Sequence, residues 1–134
     1  MAVSSPQPRP PILVVEDEPL LRFHASSLLE DAGYATLEAS SADEAMAILA
    51  ARSDVRLVFT DIHMPGSMDG LKLAGEVAGR WPAVAVVLTS GLSVLDGAEL
   101  PEGSMFLAKP YDPRQLLDMV AKVLRPDARA PSLA

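Results

Sequence analysis

The sequence predicts an α/β fold in which five parallel strands form one sheet with helices on both faces. Three observations lead to this prediction. The 134 residues are the size of a single domain, and 49% of them are apolar, which is enough for a substantial core. Five short β-rich runs alternate with helical patterns along the chain. Such alternation favours right-handed crossovers, and therefore a doubly wound parallel sheet of the flavodoxin type.

The predicted strands are short apolar segments. The first, third and fourth are continuous apolar runs, as expected for strands that are buried on both faces. The second is weaker, which is typical of an outer strand, and the fifth is short. These segments are Ile12–Val15, Ala35–Ala39, Leu57–Thr60, Val84–Leu88 and Met105–Leu107.

Four segments have helical patterns and local start or stop signals. The first, Pro19–Leu29, carries Leu21, Leu28 and Leu29 at helical spacings and is followed by Gly33 as a C-terminal stop signal. The second opens with the capping-box spacing Ser41–Glu44. The third and fourth are predicted over Gly70–Arg80 and from Asp112-Pro113 to Leu124.

The segment between the fourth and fifth strands is rich in glycine and proline. This composition leaves little room for a full helix there, so the sequence predicts a short or irregular fourth helix between those strands. The residues concerned are Gly91, Gly97, Pro101 and Gly103.

Composition excludes several classes of protein. The absence of cysteine rules out a disulfide scaffold, a thiol nucleophile and a cysteine zinc site. A net charge of −7 argues against direct binding of nucleic acid. No apolar run approaches the roughly 20 residues of a membrane span, and the Pro-rich start lacks the apolar core of a secretory signal. These features predict a cytoplasmic protein that is not bound to a membrane.

The two ends differ in composition from the rest of the chain. Residues 1–11 are rich in Pro and Ser and are predicted to be a flexible lead-in, and residues 126–134 a flexible tail. The folded body is then 12–125, and we expect no second, effector domain outside it.

Polar side chains follow four of the five predicted strands. Glu16, Asp17 and Glu18 follow the first, Asp61 the third, a Thr-Ser pair the fourth and Lys109 the fifth. Because the carboxyl ends of parallel strands meet at one edge, these groups are expected to converge there. Helix capping accounts for one acid at a strand end, and Glu18 before Pro19 is expected to act in this way. It does not account for a lysine at the same edge.

This combination of groups suits phosphoryl transfer with a divalent metal. Carboxylates bind a hard cation such as Mg²⁺ through oxygen, and a lysine and a hydroxyl can meet the remaining phosphate oxygens. With no cysteine and only His24 and His63, a zinc site is implausible. His24 is expected to be a surface or packing residue of the first helix.

The motifs that carry these groups resemble the receiver domain of two-component response regulators. The resemblance covers the whole folded body. It rests on Glu16-Asp17 after ILVV, on Asp61 in FTDIHMPGSMDG, on the TSG at 89–91 and on FLAKP at 106–110.

The resemblance implies a role for each matched position. Asp61 is the phosphoacceptor, and Lys109 pairs with the phosphoryl group. Mg²⁺ is held by Asp61 and Asp17 directly, by Glu16 through water and by the backbone carbonyl of His63. The family also implies a cis peptide bond between Lys109 and Pro110.

Two further positions form the switch that the resemblance implies. Ser90 is assigned as the hydroxyl that turns inward after phosphorylation, and Phe106 as the aromatic residue coupled to it. Ser90 is preferred to Thr89 because the loop M-P-G-S-M-D-G is one residue longer than the commoner form, so the later hydroxyl keeps the spacing from Asp61. His63 and Leu92 lie two positions beyond Asp61 and Ser90, where they flank the path of water to an acyl phosphate.

The sequence thus predicts a stand-alone receiver that is a monomer or weak dimer. This receiver would accept a phosphoryl group from a histidine kinase or phosphotransfer protein and signal to a protein partner. It would be no enzyme beyond its own phosphorylation and dephosphorylation. One alternative is a pseudo-receiver that is never phosphorylated. Another is a haloacid-dehalogenase-like phosphatase, which would need a second Asp where His63 stands.

Overall fold

The computed structural model describes residues 10–66, 68–91, 100–101 and 103–124. Within these ranges the chain forms five strands and four helices, and all of the strands run parallel. In chain order the elements are β1 (Ile12–Val15), α1 (Pro19–Asp31), β2 (Thr36–Ala39), α2 (Ala42–Ala51), β3 (Leu57–Asp61), α3 (Gly70–Arg80), β4 (Ala85–Ser90), β5 (Ser104–Ala108) and α4 (Pro113–Leu124). The predicted parallel α/β sheet is confirmed.

The strand order in the sheet is β2-β1-β3-β4-β5. The chain first adds β2 on one side of β1 and then adds β3, β4 and β5 on the other side. The order therefore reverses between β1 and β3, and in open α/β sheets ligands bind outside the carboxyl ends of the strands at such a point. Glu16 follows β1 and Asp61 ends β3, so both acids lie at the reversal.

The core has two layers, one on each face of the sheet. Leu13 and Val15 of β1 pack in the layer beneath α2 and α3, whereas Ile12 and Val14 pack in the layer beneath α1 and α4. The same alternation continues through β3 and β4. Helices cover both faces of the inner strands β1, β3 and β4, which are almost wholly buried. This burial explains why their sequences are predominantly apolar, whereas the outer strands β2 and β5 are partly exposed and contain polar residues.

Local capping signals in the sequence are realised in the structure. The Glu18 side chain accepts a hydrogen bond from the backbone N–H of Leu20 and so caps α1. Ser41 caps α2 by accepting from the N–H of Glu44. The Glu44 carboxylate accepts instead from the N–H and hydroxyl of Ser40, one residue before the position of a standard capping box.

The bounds of several elements and the packing of one residue differ in detail from the prediction. Helix α1 continues to Asp31, and Gly33 has the positive φ of +98° expected after a helix end. Strand β4 continues past Leu88 to Ser90, because both added residues pair with β5. Leu21 does not pack in the core as its spacing suggested: it is 48% exposed.

Some predictions concern residues that the structure does not describe. The short or irregular helix between β4 and β5 falls on 92–99, as does Leu92. The tail 126–134 and most of the lead-in 1–11 also lie outside the described residues. Among the helices that are described, none is both long and apolar enough to cross a membrane.

Candidate functional site

Asp61 is the last residue of β3, and both oxygens of its carboxylate have a partner. Oδ2 accepts a hydrogen bond from Lys109 Nζ at 2.7 Å, and Oδ1 accepts from the backbone N–H of His63 at 2.9 Å. The Asp61 side chain is only 10% exposed. The carboxylate is therefore held in a fixed direction by one full positive charge and one peptide dipole.

Lys109 comes to this carboxylate from the end of β5. Its backbone N–H donates to the Ser90 carbonyl at 3.0 Å, which continues the pairing of β4 with β5 by one residue. The following bond to Pro110 is cis, as the family resemblance implied. The predicted meeting of Asp61 and Lys109, 48 residues apart in sequence, is present in the structure.

Glu16 is a buried carboxylate beside Asp61. It is 7% exposed, and its Oε2 accepts from the backbone N–H of Glu18 at 3.2 Å. Burial raises the pKa of Glu16 to about 7, and the negative charges of Asp61 and Asp17 act in the same direction. The Glu18 N–H and Lys109 oppose this shift. A cation bound close to Glu16 would stabilise the ionised form of this carboxylate.

Asp17 is exposed at the rim of the same edge. Within the described ranges, no group of three or more His, Asp or Glu side chains is arranged to hold a metal ion. Mg²⁺, however, binds proteins through one or two carboxylates and completes its shell with water and phosphate oxygens. The oxygen donors of Glu16, Asp17 and Asp61, which interact electrostatically, fit this requirement in chemical type.

Thr89, and not Ser90, lies on the Asp61 side of the sheet. Asp61 and Thr89 are direct partners in the β3–β4 ladder, and neighbouring partners in a sheet share a face. Thr89 lines the same cavity as Asp61, and its buried hydroxyl has no hydrogen-bond partner among the described residues. Ser90 follows the alternation of Leu88, which packs in the α2–α3 layer. The choice of Ser90 from loop length is therefore not supported by the geometry.

Phe106 also lies away from this cavity. It is half-buried against the α2–α3 layer and pairs with Leu88 across β4 and β5. Phe106 and Ser90 thus lie on one face of the sheet, and Thr89 and Lys109 lie on the other. His63 brings its backbone N–H to Asp61, but its side chain is exposed on the loop after β3.

The acidic edge opens into a cavity of about 520 Å³, which we call the Asp61 cleft. Glu16, Asp61, Thr89 and Lys109 form its polar end. The remaining wall is mainly apolar and includes residues of β1 and β3. Its outer part comes from α1 and the segment after β5, namely Leu21, His24, Ala25, Pro110, Tyr111 and Pro113. The residue patterns did not predict this wall. The apolar residues at the start of α1 were an available signal: Leu21 lines the cleft, whereas Leu20 and Phe23 are 76% and 66% exposed and do not line it.

Tyr111 fixes the base of the apolar wall. Its ring packs edge-on against Phe59 of β3, with ring centroids 5.8 Å apart. Burial raises the pKa of Tyr111, and the charges of Glu16 and Asp61 raise it further. The tyrosine therefore remains a neutral phenol beside the acidic end of the cleft.

Gly70 lets α3 begin directly behind Asp61. Its N–H donates to the Ile62 carbonyl at 2.9 Å, and Asp69 caps the helix by accepting from the N–H of Lys72. A Cβ at position 70 would overlap the carbonyl oxygen of Asp61. This close approach accounts for the glycine and fixes the backbone on which the Asp61 carboxylate stands.

Comparison with known proteins identifies the family to which this fold and site belong. The sequence model of the response regulator receiver domain matches residues 12–121. The chain therefore belongs to the receiver domain family of two-component response regulators, which are signalling modules. Magnesium binding and phosphorylation are typical of this family.

Individual relatives agree with this assignment. The chain is 37% identical over 114 residues to the response regulator protein FleR of Pseudomonas aeruginosa. The match covers 83% of this chain but 24% of FleR, so the chain spans about a quarter of that relative's length.

Solved structures of receiver domains share the fold. The receiver domain of NtrX from Brucella abortus is 35% identical, with a TM-score of 0.77 and coverage of 84% of this chain and 97% of that one. The response regulator TrrA from Thermotoga maritima, solved in complex with Mg²⁺ and BeF, is 28% identical, with a TM-score of 0.73 and coverage of 85% and 98%.

Proposed function

We propose that this chain is a phosphorylation-controlled receiver whose phosphoacceptor is Asp61. The observation that carries the proposal is the buried Asp61 carboxylate, held at the end of β3 by Lys109 Nζ at 2.7 Å and by the His63 N–H at 2.9 Å. A carboxylate oxygen attacks the phosphorus of a phosphohistidine or a small phosphodonor. The bond from phosphorus to the leaving group breaks as the Asp61 O–P bond forms; a histidine leaving group takes up a proton, whereas acetyl phosphate releases an acetate anion.

Lys109 and Thr89 are the groups that would meet the transferred phosphoryl group. The lysine already contacts the carboxylate and compensates the negative charge that arrives there. Thr89 has a buried hydroxyl on the same cavity with no partner among the described residues, so it can donate to a phosphoryl oxygen. We therefore assign to Thr89 the hydroxyl role that loop length suggested for Ser90. Coupling of the switch to Phe106 remains a prediction from the resemblance.

Mg²⁺ would be held by Asp17 and Asp61 directly, by Glu16 through water and by the His63 carbonyl. The resemblance to TrrA, solved with Mg²⁺ and BeF, supports this assignment. When bound, the ion neutralises charge on the carboxylates and on the phosphoryl oxygens. The protein's own contribution is to keep the Glu16 and Asp61 oxygens buried at one edge.

The partners follow from the family, whose receiver domains interact with histidine kinases and downstream effectors. For this chain we propose a histidine kinase or phosphotransfer protein as donor and a protein as the recipient of the signal. The net charge of −7 disfavours direct contact with nucleic acid. Cytoplasmic location, a monomer or weak dimer, and no catalysis beyond self-phosphorylation and dephosphorylation are part of the same proposal.

Intact-mass measurement after incubation with acetyl phosphate tests the proposal. With Mg²⁺ the protein should gain the mass of one phosphoryl group, and it should gain nothing in EDTA. Asp61→Asn should abolish labelling, whereas Asp118→Asn, an exposed acid on α4, should leave it unchanged. Labelling of the Asp61→Asn protein would refute the assignment.

The mass measurement, together with an assay of phosphate release from phosphomonoesters, separates the alternatives. A pseudo-receiver would show no mass gain under any condition. A haloacid-dehalogenase-like phosphatase would release phosphate continuously from many phosphomonoesters. The geometry does not favour the latter, because the position two residues after Asp61 carries the exposed His63 instead of an acid.

A further inference from the structure

Arg22 of α1 reaches back to the ends of β1 and β2. Its Nη1 donates to the carbonyl oxygen of Glu16 at 2.8 Å, and its Nε donates to Glu38 Oε1 at 3.2 Å. Its backbone N–H also donates to the Glu18 carbonyl at 2.9 Å. The Arg22 side chain is 21% exposed, so most of it is packed against the protein. The guanidinium of this α1 residue thus links the end of β1 to Glu38 of β2.

The carbonyl that Arg22 holds belongs to the peptide group between Glu16 and Asp17. On the other side of Glu16, the backbone N–H donates to the Ala39 carbonyl at 3.0 Å. The hydrogen bond from Arg22 to the Glu16 carbonyl is the next contact along the chain that holds the backbone. Because a peptide group is planar, fixing its oxygen also fixes the direction of the Asp17 N–H and Cα. Asp17 is exposed, so its own side chain contributes little to holding this turn.

We propose that Arg22 is a positioning residue for the phosphorylation site. It holds the Glu16–Asp17 peptide so that the Asp17 carboxylate is presented to a cation beside Asp61. Arg22 does not itself line the Asp61 cleft and acts through Asp17. The inference rests on the proposed function, because it assigns Arg22 a role in the Mg²⁺ site of that function.

Whether Mg²⁺ binding weakens or tightens when Arg22 is removed distinguishes a positioning role from an effect of its charge alone. A positive group near a cation site repels the cation, so an Arg22 that acted only through its charge would weaken Mg²⁺ binding. Its removal would then tighten binding. A positioning role predicts the opposite, since loss of a group that orients a metal ligand commonly weakens metal affinity by about tenfold or more.

The test uses the full chain and three variants. Arg22→Met removes the donors but keeps the apolar stem, and Arg22→Lys keeps the charge with a single donor group. Arg52→Met is the matched control, because Arg52 makes an exposed pair with Asp54 at 2.8 Å at the end of α2. Mg²⁺ is titrated while the amide resonances of Asp17 are followed by NMR, and circular dichroism checks the fold.

We expect Arg22→Met to weaken Mg²⁺ binding by about tenfold and Arg22→Lys by about threefold. Arg52→Met should bind as the wild type does. Without metal, the heteronuclear NOE of the Asp17 amide should fall in Arg22→Met and remain unchanged in Arg52→Met. This second measurement requires no bound ion, and a purely stabilising role for Arg22 would not move it in a folded protein.

Two results would overturn the inference: wild-type or tighter Mg²⁺ binding by a folded Arg22→Met protein, or an Asp17 amide with unchanged order in that variant. If Arg22→Met does not fold, Arg22→Lys decides. Values for Arg22→Lys equal to the wild type in both measurements would overturn the inference, and weaker binding with lower Asp17 order would support it. A wild-type protein that acetyl phosphate fails to label refutes the proposed function separately, and the metal-free Asp17 measurement still decides whether Arg22 orders the turn.

Discussion

Replacing Glu16 by glutamine should stabilise the metal-free protein at alkaline pH and leave its stability little changed at acid pH. Burial raises the pKa of Glu16 from 4.5 to about 7 in the folded state. Between these values the folded protein binds more protons than the unfolded chain, so the free energy of unfolding falls as pH rises. Each pKa unit corresponds to about 1.4 kcal/mol, so the full difference is at most about 3.5 kcal/mol above pH 7. A glutamine side chain is neutral and keeps an oxygen for the Glu18 N–H, so the variant avoids this loss.

Urea unfolding in EDTA at about pH 5 and about pH 8 measures the effect. The difference between variant and wild type should be small at the lower pH and approach about 3 kcal/mol in favour of the Glu16→Gln variant at the higher pH. Glu44→Gln is the control of opposite sign, because hydrogen bonds from Ser40 lower the pKa of Glu44. That carboxylate stabilises the fold above its unfolded pKa, so its replacement should destabilise the protein at alkaline pH. The reasoning fails if Glu16→Gln shows the same stability difference at both pH values or is less stable at pH 8.

Three further predictions concern packing and the switch. Ser26→Ala should raise stability by about 1 kcal/mol in urea unfolding, because its buried hydroxyl has no partner among the described residues; a loss of stability would contradict this. Gly70→Ala should lower the free energy of unfolding by about 1–3 kcal/mol and slow labelling by acetyl phosphate. Gly75→Ala in the same helix, where a Cβ meets open space, should raise the free energy of unfolding by about 0.5–1 kcal/mol. Equal effects of the two substitutions would refute the packing argument. Thr89→Ala should reduce the NMR shift changes on adding beryllofluoride and Ser90→Ala should not, and the reverse result would restore the assignment made from loop length.

Much of the fold was predictable because its signals are local. Short β-rich runs located all five strands, and single residues such as Glu18 and Ser41 located helix starts that the structure confirms. The pairing of Asp61 with Lys109 was also within reach of the sequence. Parallel strands bring their carboxyl ends together, so a polar residue after each apolar run is placed by topology alone.

The choice between Thr89 and Ser90 depends on tertiary structure, and our proposal of Thr89 rests on the face of the sheet that each residue occupies. A count along the chain includes a loop, and a loop can take an extra residue without moving the strand that follows it. The face on which a strand residue lies is set by its ladder partner, and Asp61 pairs with Thr89. A shift of one residue reverses the face, so a count along the chain that is wrong by one would exchange the two hydroxyls.

The sequence by itself therefore determined which residues stand at the ends of strands, because hydrophobic periodicity and capping are properties of neighbours along the chain. Only the tertiary structure decided which side chains share a face of the sheet or contact the same backbone group. Arg22 meets the Glu16 carbonyl and Glu38, and Leu21 meets the wall of the Asp61 cleft, through the packing of α1 against two strands. Such contacts depend on the relative placement of separate elements, and that placement is fixed by the whole core at once.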